Sequence, residues 1–74
     1  MGITKKQLLK FIELRNKSEY QSNLQFEIDA RAAGFSSTDL GQAIKVKNGD
    51  GFEDYVWETS FGKLTEHYGE LTLS

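Results

Sequence analysis

The stretch Lys45-Val46-Lys47-Asn48-Gly49-Asp50-Gly51-Phe52-Glu53-Asp54-Tyr55-Val56-Trp57-Glu58 decides the fold class. Asn48-Gly49 and Asp50-Gly51 are consecutive hairpin-turn dipeptides, in which glycine supplies the positive φ that a tight turn demands. Residues 52–58 are rich in aromatic and β-branched side chains, which suit a strand. Tyr55 and Trp57 share one face of it, while Phe52 and Val56 share the other with Asp54 and Glu58. A β-hairpin is therefore expected here, beginning near Lys45, with both faces partly covered.

Upstream, the pattern turns helical. Thr4 followed three residues later by Gln7 is a capping box, and Leu8, Phe11, Ile12 and Arg15 then follow one face with Leu9 and Leu14 beside it. The spacing predicts a helix over residues 5–16. Residues 16–23 are polar apart from Tyr20 and read as a connector. Ser22 and Gln25 form a second capping box. After them Leu24, Ile28 and Ala32 trace one stripe, and Phe26, Ala30 and Ala33 another. Gly34 is placed to end this helix in a left-handed turn, with Phe35 packing back on the last turn. Ser36 or Ser37 can restart a helix whose first turn accepts Thr38 and Asp39, with Leu40, Ala43 and Ile44 facing inward.

Downstream, Thr59 or Ser60 can cap a last short helix carrying Phe61, Leu64 and Tyr68 and ended by Gly69, with Leu71 and Leu73 closing the chain as a strand. The rival parse makes residues 62–65 and 70–73 a second hairpin around residues 67–69; the helix is the preferred reading. The fold expected is α+β: a small single domain over residues 1–74 with three to four short helices, a helix-turn-helix-like core, and a C-terminal β-hairpin or small antiparallel sheet.

With 74 residues there is room for one core and no second domain. Cysteine is absent, which excludes a disulfide scaffold, a thiolate metal site and a cysteine nucleophile. A small secreted domain usually needs such staples, so a cytoplasmic location is expected. The longest apolar run, Tyr55-Val56-Trp57, is far too short to span a membrane, and no signal-peptide core follows the N-terminus. Charge is unevenly spread beneath a net −2. Lys5, Lys6, Lys10, Arg15 and Lys17 face only Glu13 in the first seventeen residues, while Asp50, Glu53, Asp54, Glu58, Glu66 and Glu70 face only Lys63 from residue 48 onward. Such polarity implies surfaces of opposite sign, one of which can meet a charged partner.

Residues 26–45 resemble a helix-turn-helix. The likeness rests on small Ala30 four residues before Gly34, on Ala33 and Phe35 flanking the turn, and on inward Leu40 and Ala43. The run Ala30-Arg31-Ala32-Ala33-Gly34-Phe35-Ser36-Ser37 looks locally like the first such motif of AraC-type regulators, and the following hairpin is similar to the wing of winged-helix domains. The resemblance implies a DNA-binding transcriptional regulator acting as a homodimer, because one such unit reads few bases. Ser37, Thr38 and Gln42 would then face bases, and Lys45, Lys47, Lys5 and Lys6 would reach phosphates. Against it stand Asp29 at a usually apolar position, a presumed recognition helix without arginine, and a wing carrying Asp50, Glu53 and Asp54.

The alternative is a protein-interaction module, of the style of a small phage-type inhibitor or adaptor. It would use the acidic, aromatic C-terminal hairpin, with Asp50, Glu53, Asp54, Tyr55 and Trp57 meeting a basic partner surface. The competing account of those aromatics is that most of them fill the core. No enzyme, cofactor or metal is expected. His67 with Glu70 supplies two ligands where a site needs more. Asn48, Asp50 and Asp54 fit a calcium loop only if Val46 and Trp57 were ligands, which they cannot be. A single histidine at no matching spacing supports no triad.

Overall fold

The computed structural model describes residues 3–17 and 23–74. Two α-helices, α1 (Lys5–Lys17) and α2 (Asn23–Ala32), precede a single 3-10 turn (Ser37–Leu40) and four strands: β1 (Ile44–Lys47), β2 (Glu53–Thr59), β3 (Gly62–His67) and β4 (Glu70–Leu73). The strands form one antiparallel meander in the order β1-β2-β3-β4. The architecture is α+β as expected, with two α-helices where three to four were expected.

Helix α1 begins as its capping box dictates. The Gln7 N–H donates to Thr4 Oγ1 at 3.1 Å, and the Thr4 N–H donates back to Gln7 Oε1 at 2.9 Å. Leu8, Phe11 and Arg15 are buried along one face, with Ile12 and Leu14 half-buried. Helix α2 turns in its Phe26, Ala30 and Ala33 stripe, while Leu24 and Ile28 stay exposed. Its end is a full Schellman motif. Gly34 has φ +97°, its N–H donates to the Arg31 carbonyl at 3.0 Å, and the Phe35 N–H donates to the Ala30 carbonyl at 3.0 Å. Phe35 is buried as the apolar residue of that motif. The Ser22 cap and the Tyr20 anchor lie outside the described residues.

Two expected helices do not form. After Ser36 the chain makes only four residues of 3-10 turn, because Gly41 at φ +80° leaves the helical region and its N–H closes onto the Thr38 carbonyl at 3.1 Å. Leu40 is buried as expected, but Ile44, expected to face inward on a helix, is exposed on β1. Over residues 59–73 the rival parse holds, and strands β3 and β4 replace the last helix. Thr59 explains the ambiguity. Its Oγ1 accepts the Phe61 N–H at 3.2 Å, a contact that serves a tight turn as well as a helix cap. Beyond it, Tyr68 (φ +52°) and Gly69 (φ +81°) make the paired left-handed conformations of a two-residue hairpin loop.

The predicted hairpin stands where expected. Its loop is a turn from Asn48 to Gly51, with the Gly51 N–H on the Asn48 carbonyl at 3.2 Å and Gly51 at φ +90°, closed by the Asn48 N–H on the Phe52 carbonyl at 2.9 Å. Asn48 and Asp50 rigidify it through their side chains, each accepting the N–H two residues on.

One face of the sheet is dry. Trp57 and Leu64 are cross-strand partners there, Leu64 in turn pairs with Leu73, and Leu71 lies beside them. Phe11 sits at the centre, edge-on to Phe35 at 5.2 Å and to Phe26 at 5.0 Å, and Phe26 stacks on Trp57 at 5.5 Å. This aromatic chain ties α1 through α2 to β2, and ring pairs at such distances add stabilisation beyond their burial.

Candidate functional site

The two edges of the sheet are finished differently. Helix α1 packs against β4, and its Asn16 covers that edge at Leu71. The Leu71 N–H donates to Asn16 Oδ1 at 2.8 Å, and Asn16 Nδ2 donates to the Leu71 carbonyl at 3.0 Å. One side-chain amide thereby does for Leu71 what a fifth strand would do.

At the opposite edge, β1 pairs only with β2, in the register Ile44↔Val56, Lys45↔Tyr55, Val46↔Asp54 and Lys47↔Glu53. The hydrogen bond from Asn48 to Phe52 fixes the phase of this ladder. Because bonded and non-bonded pairs alternate along an antiparallel ladder, the backbone groups of Ile44 and Val46 face β2, and those of Lys45 and Lys47 face outward. The same rule predicts that Leu71 faces outward on β4, where Asn16 meets it.

Side chains on β1 alternate as strictly. Ile44 and Val46 lie on the face away from the helices, 57% and 46% exposed, next to Val56. Lys45 and Lys47 lie on the helix-bearing face, beyond the core. Phe52 and Tyr68 extend the outer apolar surface, packed edge-on to each other at 5.3 Å. The exposed edge is thus apolar on one side and cationic on the other.

The candidate site residues fall into separate places. Lys5 and Lys6 are in the first turn of α1, whereas Lys45 and Lys47 lie on β1 at an edge of the sheet. Ser37 and Thr38 belong to the 3-10 turn, and Gln42 is in the connector after it, so no helix carries these three toward a groove. The alternative set is also divided. Trp57 is only 7% exposed and belongs to the core, so it is no surface anchor. Tyr55 is partly exposed beside it, with Lys45 Nζ 5.8 Å from its ring centre. Glu53 stands across from Lys47 on the same face.

Asp50 and Asp54 are engaged elsewhere. His67 Nδ1 is 2.7 Å from Asp54 Oδ1, and Asn48 Nδ2 donates to the same oxygen at 2.8 Å. The Tyr68 hydroxyl donates to Asp50 Oδ2 at 2.7 Å. These contacts join the β1–β2 and β3–β4 turns, which a meander places at one end of the sheet. The hydrogen bond to Asp54 raises the His67 pKa, helped by the charges of Asp54, Asp50 and Glu70, with desolvation opposing. The Tyr68 hydroxyl and the Phe52 N–H hold the Asp50 carboxyl below the usual carboxylate range.

A cleft of about 460 Å³ opens between α2, the 3-10 turn and β2, lined in part by Arg15, Phe26, Glu27, Tyr55 and Trp57. Arg15 is 2% exposed, paired with Glu66 at 2.6 Å and stacked over Phe26 at 5.1 Å. Its charge is therefore engaged inside the fold. Among the described residues no helix is long and apolar enough to cross a membrane, and no three histidine or carboxylate side chains converge as a metal site.

Ile44 and Val46 are the surface residues that sequence reasoning missed. The signal for them was the alternation Ile44-Lys45-Val46-Lys47, a two-residue period that continues a hairpin strand upstream. In comparisons with known proteins, no family model, no curated protein and no solved structure matches this chain.

Proposed function

We propose that this domain is a non-enzymatic protein-interaction module that binds its partner along the β1 edge and the outer face of the β1–β2 hairpin. The observation that carries this reading is the unequal treatment of the two edges: Asn16 pairs with the outward backbone of Leu71 on β4, while β1 is open beside exposed Ile44 and Val46. An exposed apolar strand edge invites association, so its retention in a small domain is best explained by a partner that covers it. The helix-turn-helix reading is supported by the Gly34 turn, but among the described residues only a 3-10 turn follows it, and no second α-helix is there to enter a groove.

The test compares the wild-type chain with an Ile44→Glu/Val46→Glu variant, both on solvent-facing positions. The variant is expected to keep its melting temperature and to lose saturable binding of the protein partner. Generic duplex DNA should bind neither protein at low salt. Duplex binding that weakens with salt and is lost in Lys45→Glu/Lys47→Glu would overturn the reading in favour of nucleic acid.

A further inference from the structure

We infer that the β1 edge takes an extended peptide as a fifth strand, and that the peptide it selects alternates acidic with apolar residues. The inference rests on the protein-interaction reading above and specifies its partner. Four unpaired backbone groups, the N–H and C=O of Lys45 and of Lys47, point outward in the spacing that an added antiparallel or parallel strand requires. The side chains around them set the selectivity. A strand laid beside β1 places every second side chain on the face of Lys45 and Lys47, and the others on the face of Ile44 and Val46.

The strand on the inner side of β1 already shows what these positions accept. Strand β2 sets Glu53 across from Lys47, the Tyr55 ring across from Lys45, and Val56 across from Ile44. An incoming strand with carboxylates on the lysine face and β-branched residues on the other repeats that chemistry on the outer side.

A second copy of this chain is the wrong occupant. Within the span of β1, two copies related by a two-fold axis pair their outward residues with Lys45 opposite Lys45, Lys45 opposite Lys47, or Lys47 opposite Lys47. Directly opposed like charges destabilise a strand pair. The same lysines that admit an acidic strand thus prevent the domain from pairing with itself.

The experiment titrates the isotope-labelled chain with two short synthetic peptides, one alternating glutamate with valine and one alternating lysine with valine. The glutamate peptide should shift the Lys45 and Lys47 amide resonances and protect those amides from exchange. The lysine peptide should bind at least about tenfold more weakly, since two opposed charge pairs change from attractive to repulsive. Lys45→Glu/Lys47→Glu should reverse the preference. Lys45→Pro removes an outward N–H without touching the ladder to β2, so it should keep the fold and lose the glutamate peptide.

Equal affinity for both peptides, shifts centred away from β1, or no binding of either peptide would overturn the inference. In the last case the lysines serve only to blunt the edge. If the peptide fails while the Ile44→Glu/Val46→Glu variant still loses its protein partner, strand addition is wrong and the interaction reading survives. If both fail, the β1 surface is not a binding site.

Discussion

Asn16 on α1 and Leu71 on β4 are joined by two hydrogen bonds, at 2.8 and 3.0 Å, across fifty-five residues of chain. The pair caps the edge of β4 at Leu71 and ties the helix to it. Leu71 is 1% exposed with that amide in place. Asn16→Ala should therefore cost about 1–3 kcal/mol, the net worth of two partly buried hydrogen bonds, as a lowered urea midpoint. Asn16→Asp keeps the acceptor but loses the donor, and should fall between the variant and the wild type. An Asn16→Ala midpoint equal to that of the wild type would show that β4 needs no such closure.

The ion pair of Arg15 with Glu66 makes a sharper prediction. Glu66→Ala removes the carboxylate 2.6 Å from a guanidinium that is 2% exposed, and should destabilise the fold by about 3 kcal/mol. The double change Arg15→Met/Glu66→Leu should recover most of that loss, because well-packed apolar residues replace a buried pair at little net cost. Chemical denaturation of the three proteins tests the ordering. A double variant as unstable as Glu66→Ala would indicate that the guanidinium contributes chiefly through other contacts, its stacking on Phe26 among them.

Two glycines differ in a way that substitution will reveal. At Gly34 an added Cβ meets the Gln7 Nε2 at 3.0 Å, the far end of a flexible side chain, although that amide donates to the Gly34 carbonyl. At Gly62 it would meet the Ser74 carbonyl oxygen at 2.5 Å, and that backbone is held by paired hydrogen bonds with Lys63. Both residues have positive φ, so alanine is strained at each. Gly34→Ala should lower stability by about 1–2 kcal/mol, and Gly62→Ala should lower it more. Thermal melts with the opposite order would contradict this account of the β2–β3 turn.

The histidine gives a pH dependence of defined sign. The folded state raises the His67 pKa through the hydrogen bond to Asp54, so it favours the protonated ring. Stability from this contact is fully present on the acid side of the ordinary value, 6.5, and is lost as pH rises through the raised folded value. The wild type should therefore exceed His67→Gln in melting temperature most at mildly acidic pH, and the gap should narrow above neutrality. At much lower pH a second loss begins, because Asp50 is held below its ordinary range and its contribution disappears as it protonates. A gap that widened with rising pH would refute the Asp54 contact.

The sequence alone determined those features whose partners lie within a few residues. The Thr4–Gln7 capping box, the Gly34 turn and the Asn48–Gly51 loop each close over one turn of chain, so the residue types suffice to specify them. The inward face of α1 was equally legible from its period. Tertiary structure decided the remainder. Residues 59–73 carried helix and hairpin signals of similar strength, and the contacts of Leu64 and Leu71 with α1, α2 and Trp57 selected the hairpin. A lone four-residue strand such as β1 gains nothing by itself; pairing with β2 makes Ile44 a strand residue instead of a helical one. Trp57 became core because Phe26 stacks on it, Arg15 became structural because Glu66 reaches it, and the outward backbone of Leu71 was paired because the fold brings Asn16 to it. Each of those outcomes depends on a contact between residues distant in the chain, where local propensity carries no information about which partner arrives.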